Sequence, residues 1–216
     1  MRAAQSRRRS LATPRRGARV RLKALMVLVI CGLAAYLVAP LFEKAIQELT
    51  LPLQYQGIIR RQAAAKGLDP ALIAAVIYAE TRFDARTSPT GAVGLMQIEP
   101  ATAEFLARRS GGSSFTVGDL GTPAINIAYG SYYLRYLLDE FAVSGQPVQT
   151  TVILALAAYN GGETNVEHWL QGAQARGQRF TVGDIPFSQT RAYVQTVLRA
   201  QRQYRQKYAR ALGYSD

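Results

Sequence analysis

Apolar positions fall into two regimes along the chain. From Ala24 to Phe42 nineteen consecutive residues carry no charge (ALMVLVICGLAAYLVAPLF), close to the ~20 that a helix needs to cross a ~30 Å hydrocarbon core. Beyond residue 43 the apolar residues recur at helical spacing, with Gly, Pro and Ser clusters between the runs and almost no strand-type alternation. The pattern predicts helices near Leu53–Lys66, Pro70–Thr81, Pro100–Arg109, Pro123–Phe141, Gln149–Tyr159, Glu163–Gln171 and Ser188–Ala211. Gly67 is a C-terminal stop for the first, and Asp69-Pro70 reads as an N-cap followed by proline at the first helical position of the second. The second helix (PALIAAVIYAET) is apolar nearly all round, which a helix tolerates only inside a core. The expectation is one all-α domain over about 50–212, with 111–114 (GGSS) as an internal loop, preceded by a single N-terminal transmembrane helix over 24–42.

Charge refines the N-terminal part. Lys plus Arg outnumber Asp plus Glu by 26 to 14, and residues 1–23 hold nine of the bases and none of the acids. Such a tail cannot bury enough apolar surface to offset the entropy of ordering, so disorder is expected there. Its positive charge ahead of the apolar run places it in the cytoplasm and the following domain on the outer, periplasmic face of the cytoplasmic (inner) membrane, single-pass. The competing reading is a cleaved signal peptide, with Leu33-Ala34-Ala35 near a possible cut. A retained anchor is preferred, because the apolar run exceeds a usual signal core and Pro40 spoils a cut after Ala39. Cys31 follows Val29 and Ile30 rather than a small residue, so it reads as membrane packing and not as a lipidation site. The basic tail lacks interleaved aromatics, and no nucleic-acid partner is expected. The last helix is also basic, with Arg191, Arg199, Arg202, Arg205, Lys207 and Arg210. That pattern usually marks a solvated face, although an anionic polymer or membrane would fit it.

Cys31 and His168 are the only residues of their types. Disulfide frameworks, Cys/His zinc sites, Cys-His pairs and histidine-dependent serine triads are thereby excluded. No metal or cofactor is expected, and an enzyme built from this chain works through carboxylates, hydroxyls, amides or basic groups. Glu80 stands out because it ends the apolar second helix. A carboxylate there either leaves the core into solvent or is held in a poorly solvated cleft. The residues downstream of Glu80 favour the cleft: Ser88-Pro89-Thr90-Gly91-Ala92-Val93-Gly94 leads into Leu95-Met96-Gln97, where two close glycines permit tight backbone geometry and the Leu, Met and Gln supply an apolar and amide lining.

Taken in order, these residues resemble the soluble-type lytic transglycosylases, a lysozyme-like catalytic domain related to goose-type lysozyme. The resemblance covers about 53–205 and rests on Ala79-Glu80-Thr81 with Phe83, Gly91-Ala92, Gly94-Leu95-Met96-Gln97 and Pro100-Ala101-Thr102-Ala103. It continues through Asn126-Ile127, Gly130, Tyr133-Leu134, Ala157-Ala158-Tyr159-Asn160-Gly161-Gly162, and Thr190 with Tyr193-Val194. It implies a peptidoglycan substrate, cleaved between N-acetylmuramic acid and N-acetylglucosamine without addition of water, giving a 1,6-anhydromuramyl end. Glu80 matches the single acid/base. Thr81, Ser88, Met96, Gln97, Tyr159, Asn160 and Tyr193 match substrate-binding positions. Three departures are visible: Thr81 replaces the usual serine, Gln189 stands where glutamate is frequent, and Phe83–Gly94 is one residue shorter than the common form.

Acting as an acid near neutral pH requires a pKa well above the ~4.3 of a free glutamate, and burial beside apolar neighbours such as Tyr78 and Met96 is the expected cause. A water-using muramidase of the same fold would need a second carboxylate, for which Asp84 and Glu99 are nearest in sequence. A glycan-binding scaffold without catalysis is the third reading.

Overall fold

The computed structural model describes residues 51–214 apart from 112, 113, 143 and 144, together with residues 26, 28–30, 32–34, 36 and 38. The chain divides into two units, 1–50 and 51–216. In the first, the described positions between Met26 and Val38 are helical and exposed. Among the described residues no helix is long and apolar enough to cross a membrane. The basic tail 1–23 and much of the predicted span 24–42 lie outside the described residues, so the expectation of an anchor rests on the sequence.

The second unit is built from helices: α1 (Gln56–Lys66), α2 (Pro70–Thr81), α3 (Pro100–Ser110), α4 (Pro123–Ala142), α5 (Val148–Gly161), α6 (Glu163–Ala175), α7 (Ser188–Lys207) and α8 (Ala209–Leu212). A short antiparallel hairpin, β1 (Arg86–Thr87) with β2 (Val93–Gly94), interrupts them after α2. The strand pairing is Arg86 with Gly94 and Thr87 with Val93.

α2 is the central element. Asp69 caps its N-terminus by accepting a hydrogen bond from the Ala71 amide at 3.0 Å, with Pro70 at the first helical position as expected. Its residues from Ala71 to Ile77 are all buried, so the lack of a polar face has a direct physical reason. α7 lies along α2, and α4 packs on α5. Leu134, Leu137, Leu154, Leu156, Val194 and Val197 close the core around α2.

Three helix boundaries depart from the periodicity by three residues or more, one of them the end of α6 at Ala175 rather than Gln171. α1 begins at Gln56 rather than Leu53 because the preceding residues are held by distant partners: the Tyr208 hydroxyl donates to the Leu51 carbonyl at 2.7 Å, and that of Tyr204 to the Pro52 carbonyl at 2.5 Å. The last predicted helix is broken at Tyr208, whose backbone (φ −126°, ψ 27°) leaves the helical region between α7 and α8.

Candidate functional site

The hairpin and the loop after it form one wall of the site, and a single buried asparagine fixes their shape. Asn126 of α4 accepts a hydrogen bond from the Met96 amide at 2.8 Å and donates to the carbonyls of Val93 at 2.8 Å and Leu120 at 3.1 Å. Gly94 runs against this side chain with φ 80°; a Cβ there would stand 2.2 Å from Asn126 Nδ2. Glycine is therefore required twice over, by the left-handed backbone and by the close approach. Gln97 itself takes φ 48° without being glycine. Its side-chain amide donates to the Arg86 and Gly94 carbonyls, both at 2.8 Å, which locks this unusual turn.

Thr81 ties the wall to α2. Its hydroxyl, 1 % exposed, reaches the Leu95 carbonyl at 2.8 Å and the Ile77 carbonyl at 3.2 Å. The methyl that distinguishes it from serine is accommodated in the core. Met96 is also internal, 0 % exposed, with its sulfur packed where a Cβ on Gly130 would come within 2.4 Å. These two placements correct the sequence expectation. Neither residue lines the cleft, and the resemblance had put both against substrate. Their side chains sit below the surface because each anchors the turn from beneath.

Above this floor lies a cavity of about 520 Å³, lined among others by Glu80, Ser88, Thr90, Gln97, Glu99, Thr102, Tyr133, Tyr159, Asn160 and Gln189. Of the sequence-identified residues, Glu80, Ser88, Gln97, Tyr159 and Asn160 thus meet in one cleft. The Tyr159 ring packs on that of Tyr133 with centroids 5.2 Å apart, and its hydroxyl donates to the Met96 carbonyl at 2.8 Å. Ser88 is turned toward its own loop, paired with the Thr90 hydroxyl at 2.9 Å and accepting from the Ala92 amide at 3.0 Å. Tyr193 reaches Glu80 from α7, with its hydroxyl buried.

Glu80 is half-buried, and the loss of hydration lifts its carboxyl from 4.5 to about 7. The nearby Tyr193 hydroxyl and the positive charge of Arg86 hold it back from rising further. The Tyr193 hydroxyl stands close enough for this effect yet falls short of a hydrogen bond of ordinary geometry, and Tyr193 itself is buried behind the cavity lining. Burial, and then the charge of Glu80, push the phenols of Tyr159 and Tyr193 well above their usual value. Both stay protonated at neutral pH. A carboxyl that titrates near 7 exists in both forms at neutral pH, so it can give up a proton and take one back.

Sequence reasoning overlooked Arg86. Its guanidinium donates to the Glu80 carbonyl at 2.9 Å and the Thr81 carbonyl at 3.4 Å, capping the last turn of α2 beside the carboxyl. No spacing signal marks such a residue, because the contact depends on the hairpin folding back. Of the two acids considered as second carboxylates, Asp84 is exposed and does not line the cleft, whereas Glu99 lines it. Glu99 also stands at the N-cap position of α3, without a side-chain capping hydrogen bond.

This geometry agrees with what the chain is similar to. The model of the Transglycosylase SLT domain family matches residues 57–181. The soluble lytic murein transglycosylase of Escherichia coli is 33 % identical over 161 residues, which are 73 % of this chain and 24 % of that protein. The membrane-bound lytic murein transglycosylase C of Salmonella typhi is 29 % identical over 169 residues, 71 % of this chain and 47 % of the other. Among solved structures, the 70-kDa soluble lytic transglycosylase of Escherichia coli superposes with a TM-score of 0.66 at 31 % identity, covering 78 % of this chain and 27 % of that one. An inactive variant of the lytic transglycosylase Slt from Pseudomonas aeruginosa gives 0.63 at 30 % identity, covering 74 % and 25 %. The chain spans about a quarter of the length of these soluble relatives. With the family match running through the hairpin, the cleft and α5, the chain belongs to the Transglycosylase SLT domain family.

Proposed function

We propose that the chain is a lytic transglycosylase that cleaves the β-1,4 bond between N-acetylmuramic acid and N-acetylglucosamine in peptidoglycan. One observation carries the reading: Glu80, half-buried in a cleft walled by tyrosines and amides, has its carboxyl raised to about 7. In its acid form Glu80 gives a proton to the glycosidic oxygen as the bond from that oxygen to C1 breaks. The resulting carboxylate then takes the proton of the muramyl 6-hydroxyl while O6 bonds to C1, closing the 1,6-anhydro ring. Atoms balance without water, and Glu80 ends protonated as it began. The substrate's own hydroxyl replaces the nucleophile that a two-carboxylate glycosidase supplies, and its attack is intramolecular. That Gln97, Tyr159, Asn160 and Ser88 line the cleft supports their role in holding the glycan, with the Tyr193 hydroxyl beside the acid.

Glu99 on the cleft wall supports a second reading, hydrolysis with Glu99 positioning water. Mass analysis of products from purified peptidoglycan decides between them. Fragments one water lighter than reducing-end muropeptides, absent with Glu80→Gln, are the expected result; reducing-end products would establish the hydrolase.

The anchor belongs to the same proposal. The uncharged stretch 24–42 behind nine bases supports a single-pass attachment to the cytoplasmic membrane with residues 50–212 outside, which confines cleavage to glycan near that membrane. Retention of the chain in membranes washed with alkaline carbonate, and digestion of the domain by protease added from the periplasmic side, are expected.

A further inference from the structure

The charges of the folded unit are segregated by element. Of sixteen Lys and Arg in residues 51–216, α1, α7 and α8 carry nine, and these three helices contain none of the unit's twelve Asp and Glu. The remaining elements and loops therefore hold seven bases against those twelve acids. A solvated surface mixes the two signs to limit repulsion, and this one does not.

The three helices meet at one end of the molecule. α8 packs on both α1 and α7, and Arg60 of α1 lies against Gly213 just beyond α8. Arg60, Arg61, Arg202, Lys207 and Arg210 are exposed there. Among the described residues, Asp69 approaches from the N-cap of the neighbouring α2, and it is engaged by Arg205 at 2.6 Å and Gln201 at 2.5 Å, as well as by the Tyr214 hydroxyl. Half-buried Tyr208 and Tyr214 add amphipathic rings to the same end, beneath Lys207 and Arg205.

We propose that this basic end docks on an anionic lipid surface. The chain itself identifies the occupant. The unit begins at this end, where Tyr208 and Tyr204 grip the carbonyls of Leu51 and Pro52. Only residues 43–50 separate that grip from the uncharged stretch 24–42, and eight extended residues span at most about 28 Å. The inference rests on the reading of 24–42 as an anchor. Given that anchor, the bases are held within reach of the headgroups, where each contributes about five-fold to partitioning onto an anionic leaflet. Docking would give the cleft a defined direction. Tyr193, opposite Glu80, precedes Lys207 by fourteen residues of α7, about 20 Å along that helix.

The test uses the full chain in nanodiscs of phosphatidylcholine, with or without phosphatidylglycerol, containing brominated lipids as quenchers. With Cys31→Ser and Gln203→Cys, a fluorophore at the basic end is expected to be quenched about two-fold or more in anionic discs relative to neutral ones, an effect removed by high salt. The triple change Arg61→Glu, Arg202→Glu and Lys207→Glu should abolish it while the circular dichroism spectrum and melting temperature hold. A label at Gln171→Cys, on α6, should report no difference. Equal quenching in both lipids, or none in either, would overturn the proposal. So would salt-sensitive retention on purified peptidoglycan without quenching, which would assign the face to an anionic wall polymer. Release of the chain from membranes by alkaline carbonate would instead defeat the anchor reading, an outcome separate from the quenching result.

Discussion

Two glutamates of this molecule stand beside pairs of tyrosines, and they are treated in opposite ways. Glu163 accepts hydrogen bonds from the hydroxyls of Tyr133 at 3.3 Å and Tyr136 at 3.0 Å, and it lies in the first turn of α6. Amide dipoles at a helix N-terminus favour a negative charge. Glu80 lies in the last turn of α2, where the dipole disfavours charge, and it has the Tyr193 hydroxyl nearby without a full hydrogen bond. The residue types are the same, and the supply of donors differs. Satisfying a carboxylate makes it a strut between helices, whereas withholding donors in a desolvated cleft makes it an acid poised for proton transfer.

The largest expected effect separates the two in activity. Glu80→Gln should lower peptidoglycan cleavage by about 10²- to 10⁴-fold, the usual contribution of a general acid/base. Glu163→Gln should stay within a few-fold of the parent. Release of soluble muropeptides measures both, and an equal loss in the two variants would erase the distinction.

Stability should move the other way. The folded-state pKa of Glu80 is raised from 4.5 to about 7, so below 4.5 both states bind the proton and no difference arises. As pH climbs from 4.5 to 7 the unfolded chain ionises while the folded one resists, and stability is lost across that window, reaching about 3 kcal/mol. Glu80→Gln removes this cost. It should be more stable than the parent by up to about 3 kcal/mol at pH 8 and equal to it at pH 4, as read by urea unfolding. A stability gain that ignored pH would mean that folding does not raise the carboxyl. By contrast, Glu163→Gln should lose about 1–2 kcal/mol at pH 7, the scale of a charge-assisted hydrogen bond with its neutral replacement only partly satisfied.

How far the sequence discloses this contrast depends on the range of the interactions. α2 is legible from end to end because its determinants are local: the Asp69-Pro70 start, an unbroken apolar run and the turn at Arg82 and Phe83, both at positive φ. The start of α1 and the break at Tyr208 are not, since tyrosines pairing with carbonyls more than 150 residues away set them. The site divides along the same line. Family-like motifs identify Glu80, Gln97 and Tyr159, but a motif marks positions fixed by geometry without saying which side of the wall a residue serves. Thr81 and Met96 carry the pattern from below the surface, holding the turn through Leu95 and Asn126. Arg86 reaches Glu80 only through the hairpin, and Glu163 meets its tyrosines from α4 across 27 and 30 residues.

The smallest effect tests the comparison most finely. If Glu80 is an acid because donors are scarce, the nearby Tyr193 hydroxyl should be measurable as a brake. Tyr193 lowers the Glu80 pKa while burial raises it, and Tyr193→Phe removes the hydroxyl but keeps the ring that excludes water. Cleavage requires the protonated acid, so kcat/KM should fall above pH 7 in the parent. In the variant the alkaline limb should move upward by about half a pH unit, the low end of what one hydrogen bond is worth. A purely structural role for Tyr193 would lower the rate at every pH without moving the limb. A downward movement would mean that the hydroxyl raises the carboxyl instead, and Glu80 would then resemble Glu163 more closely than their surroundings imply.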